Sequence, residues 1–464
     1  MLEKGIVGAC ALPHPPLIMP EVGHGGEARI QHTIDAYRAA AQFAADLHPD
    51  LVVITSPHAV MYADYFHISP GEKAAGDFGS FGAPKLRLEA AYDTAFVRHL
   101  EGLASAEDFP AGTFGEKSPA LDHGTMIPLR FLQEAGYAGP IVRIGLAGLS
   151  RGAHYHLGQL IARTAEELGR RVVFVASGDL SHKLKEDGPY GLAPEGALFD
   201  AQMQRDFSSG DFLDLLMTPY ALGEKAAECG LRSFWIMAGA LDRCAIVPKL
   251  LSYEGPFGVG YGVATFAVTG EDAARNFGEQ AEAKEREALA ARKEHEDIYV
   301  KLARLSLETF VKTHGYAKLP DGLPAELTER AAGAFVSLKK DGQLRGCIGT
   351  ILPTKRTLAE EILANAIAAG TRDPRFSPVT ADELGKLVYD VDVLSRPEPI
   401  RSAAELDVKK YGVIVESGSK RGLLLPDLEG IDTVEQQIDI ARRKGNIART
   451  EKIQLYRFEV TRHV

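Results

Sequence analysis

Cysteine is scarce in this 464-residue chain. Its four representatives, Cys10, Cys229, Cys244 and Cys347, are too widely scattered to make a C-x-x-C pair. That spacing argues against a disulfide framework and against a thiolate zinc site, and it suits a reducing compartment, so a cytoplasmic protein is expected. Long apolar runs are missing as well. None approaches the roughly 20 residues that span a bilayer, which removes a membrane from the expected partners. The opening Met1-Leu2-Glu3-Lys4 passes straight into a strand-like run and lacks the shape of a signal peptide. No internal repeat or low-complexity tract is present. What remains is the composition of a globular protein, 45% hydrophobic and 25% charged. At this length one ordinary core is not enough, and two domains are expected.

Charge is divided unevenly. Residues 1–297 hold 26 basic and 40 acidic side chains, whereas residues 298–464 hold 26 and 23. A polyanion such as nucleic acid is therefore not an expected ligand of the first part, and is left open for the second. Between the two parts the apolar pattern fades into Glu279-Gln280-Ala281-Glu282-Ala283-Lys284-Glu285-Arg286-Glu287, a charged, helix-forming composition. The expected organisation is a domain over 1–270, a helical linker over 271–297 and a second domain over 298–464.

Ahead of the linker, Ile6–Leu12, Leu51–Thr55, Ile141–Ala147 and Val172–Ala176 are continuous enough to be strands buried on both faces. Helical patterns at Glu27–Leu47, His154–Leu168 and Leu231–Leu241 alternate with them. The expected fold class is α/β, a central sheet with helices on both faces. After the linker the pattern is α+β. Tyr299–Thr313, Leu358–Ala369 and Thr433–Lys444 read as helices. Ala334–Leu338 turns at Lys340-Asp341-Gly342 into Leu344–Ile348 as a hairpin, and Leu387–Leu394 alternates like a strand.

In an α/β sheet, sites gather beyond the carboxyl ends of strands. His14 falls there, stiffened between Pro13 and Pro15, and so does His58, after Ser56-Pro57. Glu254, in Tyr253-Glu254-Gly255, supplies a carboxylate ahead of the strand-like run Phe257–Val268. Two imidazoles and one carboxylate form the set that holds a divalent iron with positions left open for substrate and oxygen. Ser177-Gly178-Asp179-Leu180-Ser181-His182 follows another strand. A nucleophilic triad there is disfavoured, because serine, histidine and aspartate lie within six residues. An acid/base role for His182 suits imidazole chemistry better. In Leu121-Asp122-His123-Gly124-Thr125, Asp122 could orient the His123 ring. The pair His154 and His156 opens a helical pattern and is expected at the surface. In the second domain, Leu344-Arg345-Gly346-Cys347-Ile348-Gly349 places a cysteine beside an arginine, which could lower its pKa; the same Cys347 also reads as a small buried apolar residue. Thr371-Arg372-Asp373-Pro374-Arg375-Phe376 has the character of a binding loop.

Taken in order, Pro-His14-Pro-Pro, Ser-Pro-His58, Leu-Asp-His123-Gly-Thr, Ser-Gly-Asp179-Leu-Ser-His182 and Glu254-Gly-Pro resemble the LigB family of class III extradiol ring-cleavage dioxygenases, whose fold includes the Memo-like proteins. The resemblance covers roughly residues 5–270. It implies that His14, His58 and Glu254 bind Fe(II), that His182 is the acid/base group, and that His123 donates a hydrogen bond at the oxygen or substrate position. Asp122 and Asp179 would support them. Zinc, manganese and copper accept the same donors. Memo-like relatives carry cysteine at the third ligand position, so Glu254 puts this chain on the dioxygenase side. Residues 298–464 resemble the AMMECR1 domain through Leu-Arg345-Gly-Cys347-Ile-Gly and Thr-Arg-Asp-Pro-Arg-Phe. In microbes these two families co-occur with a radical-SAM protein, which the resemblance makes an expected partner.

The expectation is a non-haem Fe(II) dioxygenase acting on a catecholic or related diol, assembled as a homo-oligomer. One alternative is a metal-dependent component of a radical-SAM-associated modification system that does not use O2 for ring cleavage. The other is a metal-binding redox adaptor.

Overall fold

The early apolar runs form strands because alternate residues enter two separate cores. In β1 (Gly5–Leu12) Ile6, Ala9 and Ala11 face one core, and Val7, Cys10 and Leu12 face the other. The same alternation sorts Leu51 and Val53 from Val52 and Ile54 in β2 (Leu51–Ser56). A strand that is apolar on both faces needs helices on both sides, and the chain supplies them. On one face lie α1 (Gln31–Asp46) and α2 (His123–Glu134). On the other lie α3 (Arg151–Glu167) and α4 (Leu231–Ala240). With β3 (Ile141–Gly145), β4 (Arg171–Ser177), β5 (Cys244–Glu254) and β6 (Tyr261–Glu271), the six-stranded order is β3-β2-β4-β1-β6-β5. The first four strands are mutually parallel, and β6 is antiparallel to both β1 and β5.

This computed structural model describes residues 3–116, 120–428 and 430–464, in two units, Met1–Glu285 and Arg286–Val464. Helix α5 (Phe277–His295) carries the chain across that boundary and buries only Ala281. No helix among the described residues is long and apolar enough to cross a membrane.

The second unit is sheet-rich. After α6 (Ile298–Thr313), β7 (Ala334–Lys340) and β8 (Gln343–Gly349) form a hairpin. Its two turn residues, Asp341 and Gly342, both have positive φ (52° and 77°), the backbone that a tight hairpin of right-twisted strands requires. Helix α7 (Leu358–Thr371) packs over β7, and β9 (Leu387–Leu394) pairs with β7 on its other edge. Next come β10 (Glu398–Ile400), β11 (Gly412–Ser417), β12 (Lys420–Leu424), α8 (Val434–Lys444), β13 (Gln454–Phe458) and β14 (Val460–His463). They complete two antiparallel sheets of order β8-β7-β9-β14 and β10-β13-β11-β12.

Candidate metal centre

Three atoms from three distant segments converge beyond the carboxyl ends of the parallel strands: His14 Nε2, His58 Nε2 and Cys229 Sγ. His14 leaves the end of β1. Its backbone amide donates to Asp179 Oδ1 (2.7 Å), and the preceding Pro13 carbonyl accepts from the Tyr37 hydroxyl (2.9 Å). His58 follows β2, with its amide on Ser56 Oγ (3.2 Å). Cys229 comes from the turn that precedes α4, and its own amide reaches the Asp179 carbonyl (3.4 Å) while its Sγ accepts the Asp179 amide (3.3 Å). That contact depends on glycine at both Gly178 and Gly230, because a Cβ on Gly178 would lie 2.1 Å from the Gly230 Cα.

The tautomer of His14 is fixed by its surroundings. The Ser177 hydroxyl has one hydrogen, and it donates this to the Gly124 carbonyl (2.6 Å). Ser177 Oγ must therefore accept from His14 Nδ1–H (2.9 Å), which leaves a bare lone pair on Nε2. That lone pair faces His58 Nε2 at 3.0 Å and Cys229 Sγ at 3.5 Å. Donors sharing an ion at about 2.0–2.1 Å for nitrogen and about 2.3 Å for sulfur lie about 3.0–3.6 Å apart. The separations and the chemistry of the donors both fit one metal ion.

Electrostatics agree with that fit. Burial, and then the His58 ring, push His14 well below the ordinary imidazole range, and burial lowers His58 too. Both are thus the neutral form that ligates. Burial raises the Cys229 thiol, and neighbouring Asp179 and Glu228 raise it further. A cation in their midst would reverse that preference.

The surrounding groups have distinct placements. His123 is the first residue of α2. Its ring centroid lies 4.0 Å from that of His58 and 5.4 Å from that of His14, and burial followed by those two rings pushes it down to about 3. Asp122 works on its helix. It caps α2 by accepting the Thr125 amide (3.0 Å), takes the Ser56 hydroxyl (2.5 Å), and so sets where His123 begins. The close approach of α2 to β2 leaves no room at Gly124, where a Cβ would meet Ser56 Oγ at 2.4 Å. His182, Asp179 and Cys229 form a second group of donor atoms within 4.8 Å of one another. Burial raises the Asp179 carboxyl, and His182 Nδ1 is buried with no hydrogen-bond partner among the described residues. Two exposed rings border the cluster: Phe81, 5.0 Å from His123, and Tyr190, 5.3 Å from His182.

Glu254 does not join this group. It ends β5, the edge strand, which is separated from β1 by β6, a lateral offset of about 10 Å. There its Oε1 accepts both the amide and the hydroxyl of Thr33 (2.6 and 2.8 Å). It thereby caps α1, whose own N-cap residue, Ile30, has no side chain able to do so. The third donor beside the two histidines is Cys229, a cysteine without a C-x-x-C partner. Its sequence signal is faint: a cysteine followed by glycine at the mouth of a helical pattern.

The histidine pair at α3 also differs from expectation. His154 is fully buried between Phe66 and Trp235, and burial pushes it down to about 4. His156 alone turns outward, to Glu107 (2.7 Å). The serine of Gly148-Leu149-Ser150-Arg151-Gly152, a run with the spacing of a nucleophile elbow, caps α3 through the Ala153 amide (3.3 Å). In the second unit, Arg345 forks onto Glu383 (2.9 and 2.8 Å). Half-buried Cys347 donates its amide to Asp373 (2.9 Å), and its Sγ accepts the Ser337 hydroxyl (3.2 Å).

Comparison with known proteins places both regions. The family described as the catalytic LigB subunit of aromatic ring-opening dioxygenase matches residues 8–264, and AMMECR1 matches residues 300–463. A protein of Clostridium acetobutylicum is 40% identical over 464 aligned residues, covering 98% of each chain. One of Thermotoga maritima is 55% identical over 170 residues, 36% of this chain and 98% of its own length. A crystal structure of a Pyrococcus horikoshii protein is 32% identical over 35% of this chain and 88% of its own, with a TM-score of 0.33. LigB-family members bind a metal.

Proposed function

The chain belongs to the LigB family and carries an AMMECR1 domain after its LigB domain; on that premise we propose that the first domain is a metal-dependent oxidoreductase whose metal is held by His14, His58 and Cys229. The observation that carries this reading is the locked His14 tautomer, which aims a bare nitrogen lone pair at a second imidazole and a thiol. A thiolate among the donors favours iron, zinc or copper over manganese, and Fe(II) is the ion that suits ring-opening chemistry. When bound, the metal supplies Lewis acidity and a path for electrons between a chelating substrate and oxygen.

The chain's own residues do the rest. The substrate class is a catecholic or related diol, whose flat ring can lie between Phe81 and Tyr190. His123, kept neutral by its neighbours, takes a proton from or donates a hydrogen bond to a substrate oxygen. His182, with an unpartnered buried Nδ1, accepts the proton of the second hydroxyl and returns it to the leaving oxygen. Asp179 holds the His14 backbone and the Cys229 turn together, and so orients ligands without touching substrate.

Cys229 also favours a second reading. A His-His-Cys set is the Memo-like pattern, and it fits metal chemistry that does not use O2 to open a ring, in the setting of a radical-SAM partner. The test is metal analysis of anaerobically prepared protein, followed by titration with catechol watched by absorbance, then by oxygen uptake. Catechol-dependent oxygen consumption supports the dioxygenase. A catechol-blind centre that turns over without oxygen beside the radical-SAM protein supports the second reading. Retention of full metal content by Cys229→Ala would sink the ligand assignment common to both.

A further inference from the structure

A cavity of about 790 Å³ opens on the second unit, between α6 and the outer face of α7. Leu363 and Ile367 of α7 give it an apolar floor, and Tyr316, 74% exposed, stands at its edge. Three cations line it: Lys355, Arg356 and Arg372. Two arginines near it are neutralised. Arg345 is paired with Glu383 and Arg375 with Asp373 (2.8 and 2.7 Å), whereas these three make no ion pair among the described residues. The carboxylate in the wall, Glu360, accepts the Arg356 backbone amide (3.1 Å).

The loop presenting two of those cations is held in shape from beneath. Glu361, wholly buried, accepts the Thr350 and Thr354 hydroxyls and the amides of Thr354 and Lys355, at 2.7 to 2.9 Å. Burying a carboxylate is costly unless it is fully hydrogen-bonded, and here the bonds fix a segment that has no regular secondary structure. The result is a preorganised cationic rim above an apolar floor, of a size typical of small-ligand sites.

We propose that this cavity binds a small phosphate monoester carrying a planar ring, with the phosphate on Lys355, Arg356 and Arg372 and the ring against Tyr316 and Leu363. Guanidinium groups fork onto phosphate oxygens, and an exposed tyrosine offers a stacking face. The cavity is larger than a bare phosphate needs, which argues for the ring.

The test uses the full chain and four probes, AMP, ribose 5-phosphate, adenosine and inorganic phosphate, followed by calorimetry. AMP is expected to bind at least tenfold more tightly than any of the other three. The double variant R356Q/R372Q should lose tenfold or more in AMP affinity, R356K/R372K should keep most of it, and Y316A should fall to the level of ribose 5-phosphate. All these side chains are on the surface, and unchanged circular dichroism confirms folding. Equal affinity for AMP and inorganic phosphate would overturn the proposal, as would an unaffected R356Q/R372Q. Binding of a short single-stranded oligonucleotide without binding of AMP would assign the rim to nucleic acid instead.

Discussion

The donor cluster at the end of the first unit's sheet and the ion pairs of the second unit handle buried polar chemistry in opposite ways. In the second, acids and bases answer one another: Arg345 with Glu383, Arg375 with Asp373, Arg462 with Asp392. In the first, His14, His58, Cys229, Asp179 and His182 are gathered at one end of the sheet without a cation among them. The paired arrangement satisfies itself. On the proposed reading the gathered one is complete only with something positive at its centre, because burial drives His14, His58, Cys229 and Asp179 towards their neutral forms. On that reading, the first unit is the one whose electrostatic state depends on a bound ion.

Removing one donor should break the contrast most severely. Cys229→Ala or His14→Ala is expected to lower metal affinity at least a hundredfold, read by metal analysis after dialysis, while Glu254→Gln keeps wild-type metal content. The backbone contact beneath the donors comes next. Gly178→Ala forces a Cβ against the Gly230 backbone, and should cost about 1–3 kcal/mol in denaturant unfolding together with metal binding. Glu254→Ala separates stability from chemistry: loss of the α1 cap should cost about 0.5–2 kcal/mol, with catechol titration unchanged.

The smallest effect probes the paired unit. Burial raises the Glu383 carboxyl, but bonds from Arg345, Lys340 and the Thr380 amide outweigh it and bring it down to about 2. A carboxyl depressed in the folded state stabilises fully above its unfolded value of about 4.3, and that stability is lost as pH falls through about 2. Glu383→Gln should therefore flatten the acid limb of stability between those values, by under about 1 kcal/mol for a partly exposed pair.

Much of this was legible in the sequence. Strands buried on both faces wrote themselves as unbroken apolar runs, and His14, His58, His123 and His182 each stood where a strand or loop meets the site. The third donor was not legible. Cys229 comes to His14 across more than 200 residues, through two glycines whose function is the absence of a side chain, and spacing rules do not see such contacts. Glu254 misled for the opposite reason. It ends a strand at the right end of the sheet, but sequence does not say how many strands lie between it and β1. His154 misled by half: i and i+2 on a helix face different ways, so one of the pair had to point inward.

The Ser177 hydroxyl reaches back to the carbonyl of Gly124, the second residue of the helix that His123 begins. The His123 ring and the latch on the His14 ring are therefore borne by one rigid body. A shift of that helix by a fraction of an ångström would move His123 and, in the same stroke, release His14 to swap its proton from one nitrogen to the other. On the proposed reading, the substrate-facing His123 and the metal grip of His14 are geared together, with a single serine as the tooth.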